Sequence, residues 1–165
     1  MVMGTFIDAR ALALVNVDLQ KFAKDMAGST RLRHAWERVR DEVMIPSIEQ
    51  NFADEGRPNQ WPDLEPDTVD RSPGRIGGAL TNTGQGRRAA TAMARWHVAK
   101  NTLTYGSFPA TRWFMPVHDY GSAAAFVPQR QFAMIQQPED VEAISEILME
   151  WVEELVNKNI KLRYP

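Results

Sequence analysis

His118 and Asp119 stand side by side in "RWFMPVHDYGSAAAFVPQRQF", residues 112–132. A histidine next to a carboxylate is the raw material of general acid–base chemistry. The spacing argues against that use. Neighbouring residues on a helix do not face each other, so Asp119 cannot readily orient the imidazole beside it. A catalytic triad also needs a positioned nucleophile, and no serine sits in a G-x-S-x-G elbow. His34 and His97 have no metal-ligand spacing to His118 or to each other. The chain has no cysteine, which removes thiolate nucleophiles, zinc–thiolate sites and disulfides. Gly77-Gly78 and "TNTGQG" are glycine-rich but lack the lysine and Ser/Thr of a phosphate loop. These residues predict no catalytic site, no metal and no cofactor, and a packed or capping role for His118.

The elements around them read as follows. Leu12, Leu14, Val15 and Val17 suggest a short strand, with Asp18 capping a helix over about Leu19 to Ala27 that Gly28 stops. A second helix starts at Ser29 or Thr30. Its Leu32, Trp36, Val39 and Val43 line one face, and Ile48 and Phe52 continue the stripe to about Asp54. Pro46 falls inside it, and a proline there predicts a kink or a break near Met44–Ile45. Residues 55–88 form a long Pro/Gly-rich loop, expected to be irregular for most of its length and mobile before it is covered. Trp61 and Leu64 are costly to leave in water, so part of that loop should dock.

Alternation in "AMARWHVAKNTLTYGSF" predicts an antiparallel hairpin turning at Lys100-Asn101. Pro116 and Gly121 bracket a short helix, and "VPQRQF" returns as an extended segment that brings Phe132, Met134 and Ile135 towards the core. After Pro138, the residues Val141, Ile144, Leu148, Trp151 and Leu155 predict a long amphipathic helix, widened by Ile147, Val152 and Val156. Residues 1–165 read as a single domain ending in a C-terminal tail at 158–165.

The net charge of −2 is unevenly spread. Residues 1–70 carry 8 basic and 13 acidic side chains, a net of −5. Residues 71–137 carry 8 basic side chains against Asp119 alone, a net of +7, and residues 138–165 return to −4. A basic middle between acidic ends attracts an oppositely charged partner: nucleic acid, or the acidic surface of another copy. No secretory signal and no membrane-length apolar run is legible.

Four segments, in order, resemble the phage virion morphogenesis family of Mu-type and P2-type tail-completion proteins. The first is "FADEGRPNQWPDLEPDT", with Trp61, Leu64 and Thr68 at fixed steps. The second is "GGALTNTG", similar to a Leu-x-x-Thr/Ser-Gly turn ending at Gly84. The third is "FMPVHDYG", which resembles Tyr-Ala-x-x-His-x-Phe-Gly and places His118, Tyr120 and Gly121. The fourth is "VPQRQF", similar to Ile-Pro-Ala-Arg-Pro-Phe, which places Pro128, Arg130 and Phe132. The chain departs from the pattern at Gly86, where the family usually has an apolar residue, at Met115 in place of its alanine, and at Gln129 and Gln131.

The resemblance implies an α+β fold, with long N- and C-terminal helices packed on a small antiparallel sheet and long projecting loops, and a structural role in the virion neck, in a subunit assembled in the host cytoplasm. It also implies a ring of copies, a hexamer or a dodecamer. Its partners would be a head-side connector or portal-associated protein and a tail terminator or tail tube protein, with DNA passing through the lumen without sequence-specific binding. For such a ring, Trp61, Leu64, Arg112, Arg130 and Tyr164 are the expected interface residues, because aromatics and arginines anchor interfaces. The competing readings are a nucleic-acid-binding module using Arg71, Arg75, Arg87, Arg88 and Arg95, and a small hydrolase using His118 and Asp119.

Overall fold

The computed structural model describes residues 21, 24–26, 30–71, 77–80, 83–99, 102–107, 114–133 and 137–159. The expected strand at 12–17, the cap at Asp18, the turn at Lys100-Asn101, Arg75, Arg112, Met134, Ile135, Tyr164 and the tail beyond 159 lie outside these residues. In chain order the elements are α1 (Thr30–Arg38), a π-helical turn (Val39–Met44), α2 (Ile45–Ala53), α3 (Pro66–Asp70) and α4 (Gln85–Ala90). Then come β1 (Arg95–Val98), β2 (Leu103–Ser107), α5 (Phe114–Tyr120) and α6 (Pro138–Asn159). Helices with one two-stranded antiparallel sheet make the described residues α+β.

Pro46 acts one turn earlier than expected. No break opens at Met44–Ile45; the winding widens over Val39–Met44, and the Ile45 N–H donates to the Arg40 carbonyl five residues back. A proline ring would strike the carbonyl four residues before it in a tight α-helix. The wider turn relieves that, and α2 restarts with the proline in its first turn, where no N–H is needed.

Two apolar clusters follow from the stripes. Ala35, Val39, Val43 and Met44 meet Ile147 of α6, with Leu32, Trp36, Ile144, Leu148 and Trp151 packed around them. Ile48 and Phe52 turn instead to Trp61, Ala79, Ala90, Met115 and Phe132. Trp96 touches both clusters. Its ring lies tilted against Tyr105 across the hairpin, centroids 4.5 Å apart, and the Tyr105 hydroxyl donates to the Ala90 carbonyl at 3.0 Å, so the small sheet is held by α4 and by both cores. A two-stranded hairpin has little stability alone, and this packing supplies it.

One expectation needs correction, and the long Pro/Gly-rich stretch gains detail. Val141 is 55 % exposed, so the buried stripe of α6 begins only at Ile144. The stretch 55–88 contains α3 and the start of α4, begun by Pro66 and by Gly84 at its N-cap, while its other described residues lie outside any helix or strand. Within it the Gly56 N–H donates to the Asn51 carbonyl and the Trp61 N–H to the Glu55 carbonyl, folding residues 55–64 back onto α2. No helix among the described residues is long and apolar enough to cross a membrane.

Candidate functional site

Residues 114–133 form the most unusual part of the molecule. α5 carries Met115, fully buried, and Asp119 towards the core, with Tyr120 exposed. Gly121 then turns the chain at a φ of +75°, and a Cβ there would stand 3.0 Å from the Gln129 nitrogen, so only glycine fits. Ser122 and Val127 pair as an antiparallel bridge, with N–H···O distances of 2.8 and 2.9 Å, closing a small hairpin over Ala123–Phe126. Pro128 leaves it half-buried, and Gln129–Ala133 runs back extended.

That return segment has no strand partner among the described residues, and side chains satisfy its backbone instead. The Asp119 carboxylate accepts from the Phe132 N–H at 2.9 Å and the Ala133 N–H at 3.2 Å. The His118 carbonyl accepts from the Arg130 N–H at 2.7 Å. From the other side, Asn51 of α2 donates to the Phe132 carbonyl at 3.0 Å, and the Trp61 indole donates to the Gln131 carbonyl at 2.9 Å. Phe132 is thereby fixed in the core, tilted against Phe52 at 5.5 Å. Buried backbone must find partners, and α5, α2 and the 55–64 segment provide them here.

Arg130 and Trp61 are expected at a subunit interface, and within the subunit both side chains are buried. Arg130 is 4 % exposed, and its guanidinium donates to the carbonyls of Pro62 and Asp63 at 3.0 and 3.2 Å. Trp61 is 7 % exposed, edge-on to Phe52. Together they clip the 55–64 segment to the return segment, which leaves neither side chain free to anchor a neighbour. Leu64 is half-buried against the same core. Of the other family-pattern residues, Gly84 takes a left-handed backbone at the start of α4, and Tyr120 stands in solvent.

The electrostatics follow from this packing. Burial, then the Arg130 charge, holds the His118 imidazole below its usual value. Burial, then the Asp119 charge, pushes the Tyr105 phenol well above its own. Asp119 Oδ1 serves two backbone N–H groups of the return segment, in keeping with the divergence of neighbouring helical side chains. Among the described residues no group of three or more His, Asp or Glu side chains is placed to hold a metal ion.

Sequence reasoning missed Asn51, Arg57 and Phe126. Arg57 donates to Asn51 Oδ1 at 2.9 Å and to the Ser47 carbonyl at 2.8 Å, and Ser47 in turn donates to Asp140 at the start of α6. Nothing in residue type distinguishes these polar side chains from surface ones. Phe126 did carry a signal: a single large apolar side chain after three alanines, between a glycine and a proline. It is 92 % exposed. No protein-family model, curated protein or solved structure matches the chain.

Proposed function

We propose that this chain is a structural protein of a tailed-phage virion, a ring-forming neck subunit that acts in head–tail joining or tail completion. One observation carries the reading: the four sequence segments that resemble the tail-completion family are joined to one another in space. Trp61 of the first segment bonds to Gln131 of the fourth, and Arg130 of the fourth returns to Pro62 and Asp63 of the first. The third segment holds the fourth through Asp119 and the His118 carbonyl. Ala79 and Leu80 of the second pack in the same core as Trp61, Met115 and Phe132. This contiguity of the four segments is what supports the reading.

In this role the subunit meets copies of itself, a head-side connector and a tail-side terminator or tube. Particles made without the protein should separate into full heads and finished tails in electron micrographs. Joined, infectious particles without it would contradict the role.

A nucleic-acid-binding reading keeps some support from an open groove lined by Arg40, Arg95 and His97 on the hairpin face. The cations first expected to serve it are partly committed: Arg71 pairs with Asp67 and Arg87 with Glu49, each at 3.6 Å. Phosphate binding at that groove requires affinity that falls steeply with salt and weakens in Arg95→Ala. A titration with no binding at low salt removes this reading.

A further inference from the structure

Phe126 breaks two rules at once. A large aromatic 92 % exposed forgoes the burial that gives such side chains their value, and its backbone lies at a φ of +53°, in the left-handed region that non-glycine residues seldom adopt. The surrounding hairpin is firm nonetheless. Two bridge hydrogen bonds join Ser122 and Val127, Ala125 N–H donates to Ser122 Oγ at 3.3 Å, and Gly121 is wedged against Gln129. At 92 % exposure the ring gains almost no burial from the described residues to offset that backbone. Strain that the fold upholds without internal benefit points to use elsewhere.

The same chain holds a cleft of a size and lining to receive it. Between α1 and α6 lies a cleft of about 250 Å³ formed by His34, Ala35, Arg38, Ile147, Trp151 and Glu154. Its floor is apolar and its rim polar, the pattern of an interface pocket. The tip that would enter, Ala123–Phe126, is small and uncharged around its one aromatic, so it brings no like charge against the rim. We propose that Phe126 of one copy inserts into the α1–α6 cleft of the next copy. Two different patches meeting in this way make a heterologous contact, which closes into a ring when the rotation permits. The preformed hairpin lowers the ordering cost of that contact. This proposal rests on the ring-subunit reading above and deepens it by naming the contact.

The test uses the full chain. Phe126→Gly removes the side chain and suits the backbone, and Phe126→Asn keeps a side chain tolerant of that conformation. Both should leave the isolated subunit at least as stable as wild type. Both should raise the concentration needed for half-assembly, read by light scattering, about tenfold or more, the loss of one aromatic anchor. Because the chain has no cysteine, Ala125→Cys in one batch and His34→Cys in another give single thiols. On mixing and oxidation the mixed disulfide dimer should exceed either homodimer, and Phe126→Gly in the Ala125→Cys chain should remove that excess. Assembly of the Phe126 variants at the wild-type concentration, or no excess of the mixed dimer, overturns the contact while leaving the ring reading in place. A wild-type chain that stays monomeric even with its head- and tail-side neighbours removes both.

Discussion

The sulfur of Met115 lies 3.5 Å from the point where a Cβ on Gly86 would stand. The two positions are departures from the tail-completion pattern that the sequence resembles, one smaller and one larger than usual. In the structure they compensate, since the long Met115 side chain, fully buried, occupies the room that a larger residue at 86 would take.

Gly86→Ala should cost about 1–3 kcal/mol, because the new methyl also meets the Leu80 carbonyl at 3.1 Å. Met115→Ala alone should cost about 2–5 kcal/mol by opening a cavity. In the double variant the methyl partly fills that cavity, so the losses should fall short of their sum by at least about 0.5 kcal/mol. Urea unfolding midpoints of the four proteins complete the cycle, and strict additivity would show that the two sites do not share space.

Asp119 should be structural through its acceptor oxygen. Asp119→Ala leaves the Phe132 and Ala133 N–H groups without their partner and should destabilise by about 3 kcal/mol. Asp119→Asn keeps a carbonyl oxygen in place and should cost about 1 kcal/mol. Equal losses in the two variants, measured by denaturation, would mean that the negative charge and not the acceptor matters.

Stability should fall on mild acidification. The folded state holds His118 below its ordinary value of 6.5, chiefly by burial, so the unfolded chain takes up the proton first as pH drops. The stability this contributes is complete above about pH 6.5 and is lost as pH falls through the lower folded value. The melting temperature should therefore decline between pH 7.5 and 5.5, and His118→Gln should flatten the decline. The surface carboxylates Glu37, Asp41 and Glu42, held low by their arginine and histidine partners, titrate below that window. An unchanged slope in His118→Gln would assign the effect elsewhere.

The clip between Arg130 and the 55–64 segment should control local opening more than global unfolding. Arg130→Lys keeps the charge but loses the fork that spans the Pro62 and Asp63 carbonyls. Amide exchange over 55–64 should quicken about tenfold in that variant while α6 is unaffected. Trp61→Phe, which loses the bond to Gln131 and part of the buried ring packed on Phe52, should quicken exchange in the same segment. Exchange at 55–64 that is already unprotected in wild type would contradict the clip.

The helices were legible in the sequence wherever burial has a period. The stripe Leu32, Trp36, Val39, Val43 and the stripe from Ile144 to Leu155 each mark a real buried face, and the alternation around Trp96 marks a real strand. The winding change before Pro46 was not legible, because a kink and a π-helical turn answer the same steric conflict and the sequence states only the conflict. The role of Trp61 was half legible. Its apolar area requires a surface to dock on, but whether that surface belongs to its own chain depends on Phe52 and the Gln131 carbonyl arriving from elsewhere. Arg130 misled for a related reason: an arginine that grips backbone carbonyls inside the subunit has the same letter as one that reaches a neighbour.

A cryo-electron reconstruction of the phage neck tests the central claim most directly. It should show this chain as a closed ring between the head connector and the tail, with residues 121–127 of each copy covered by the α1–α6 face of the next. A neck without the chain, or a ring in which Phe126 stands bare in solvent, would contradict it.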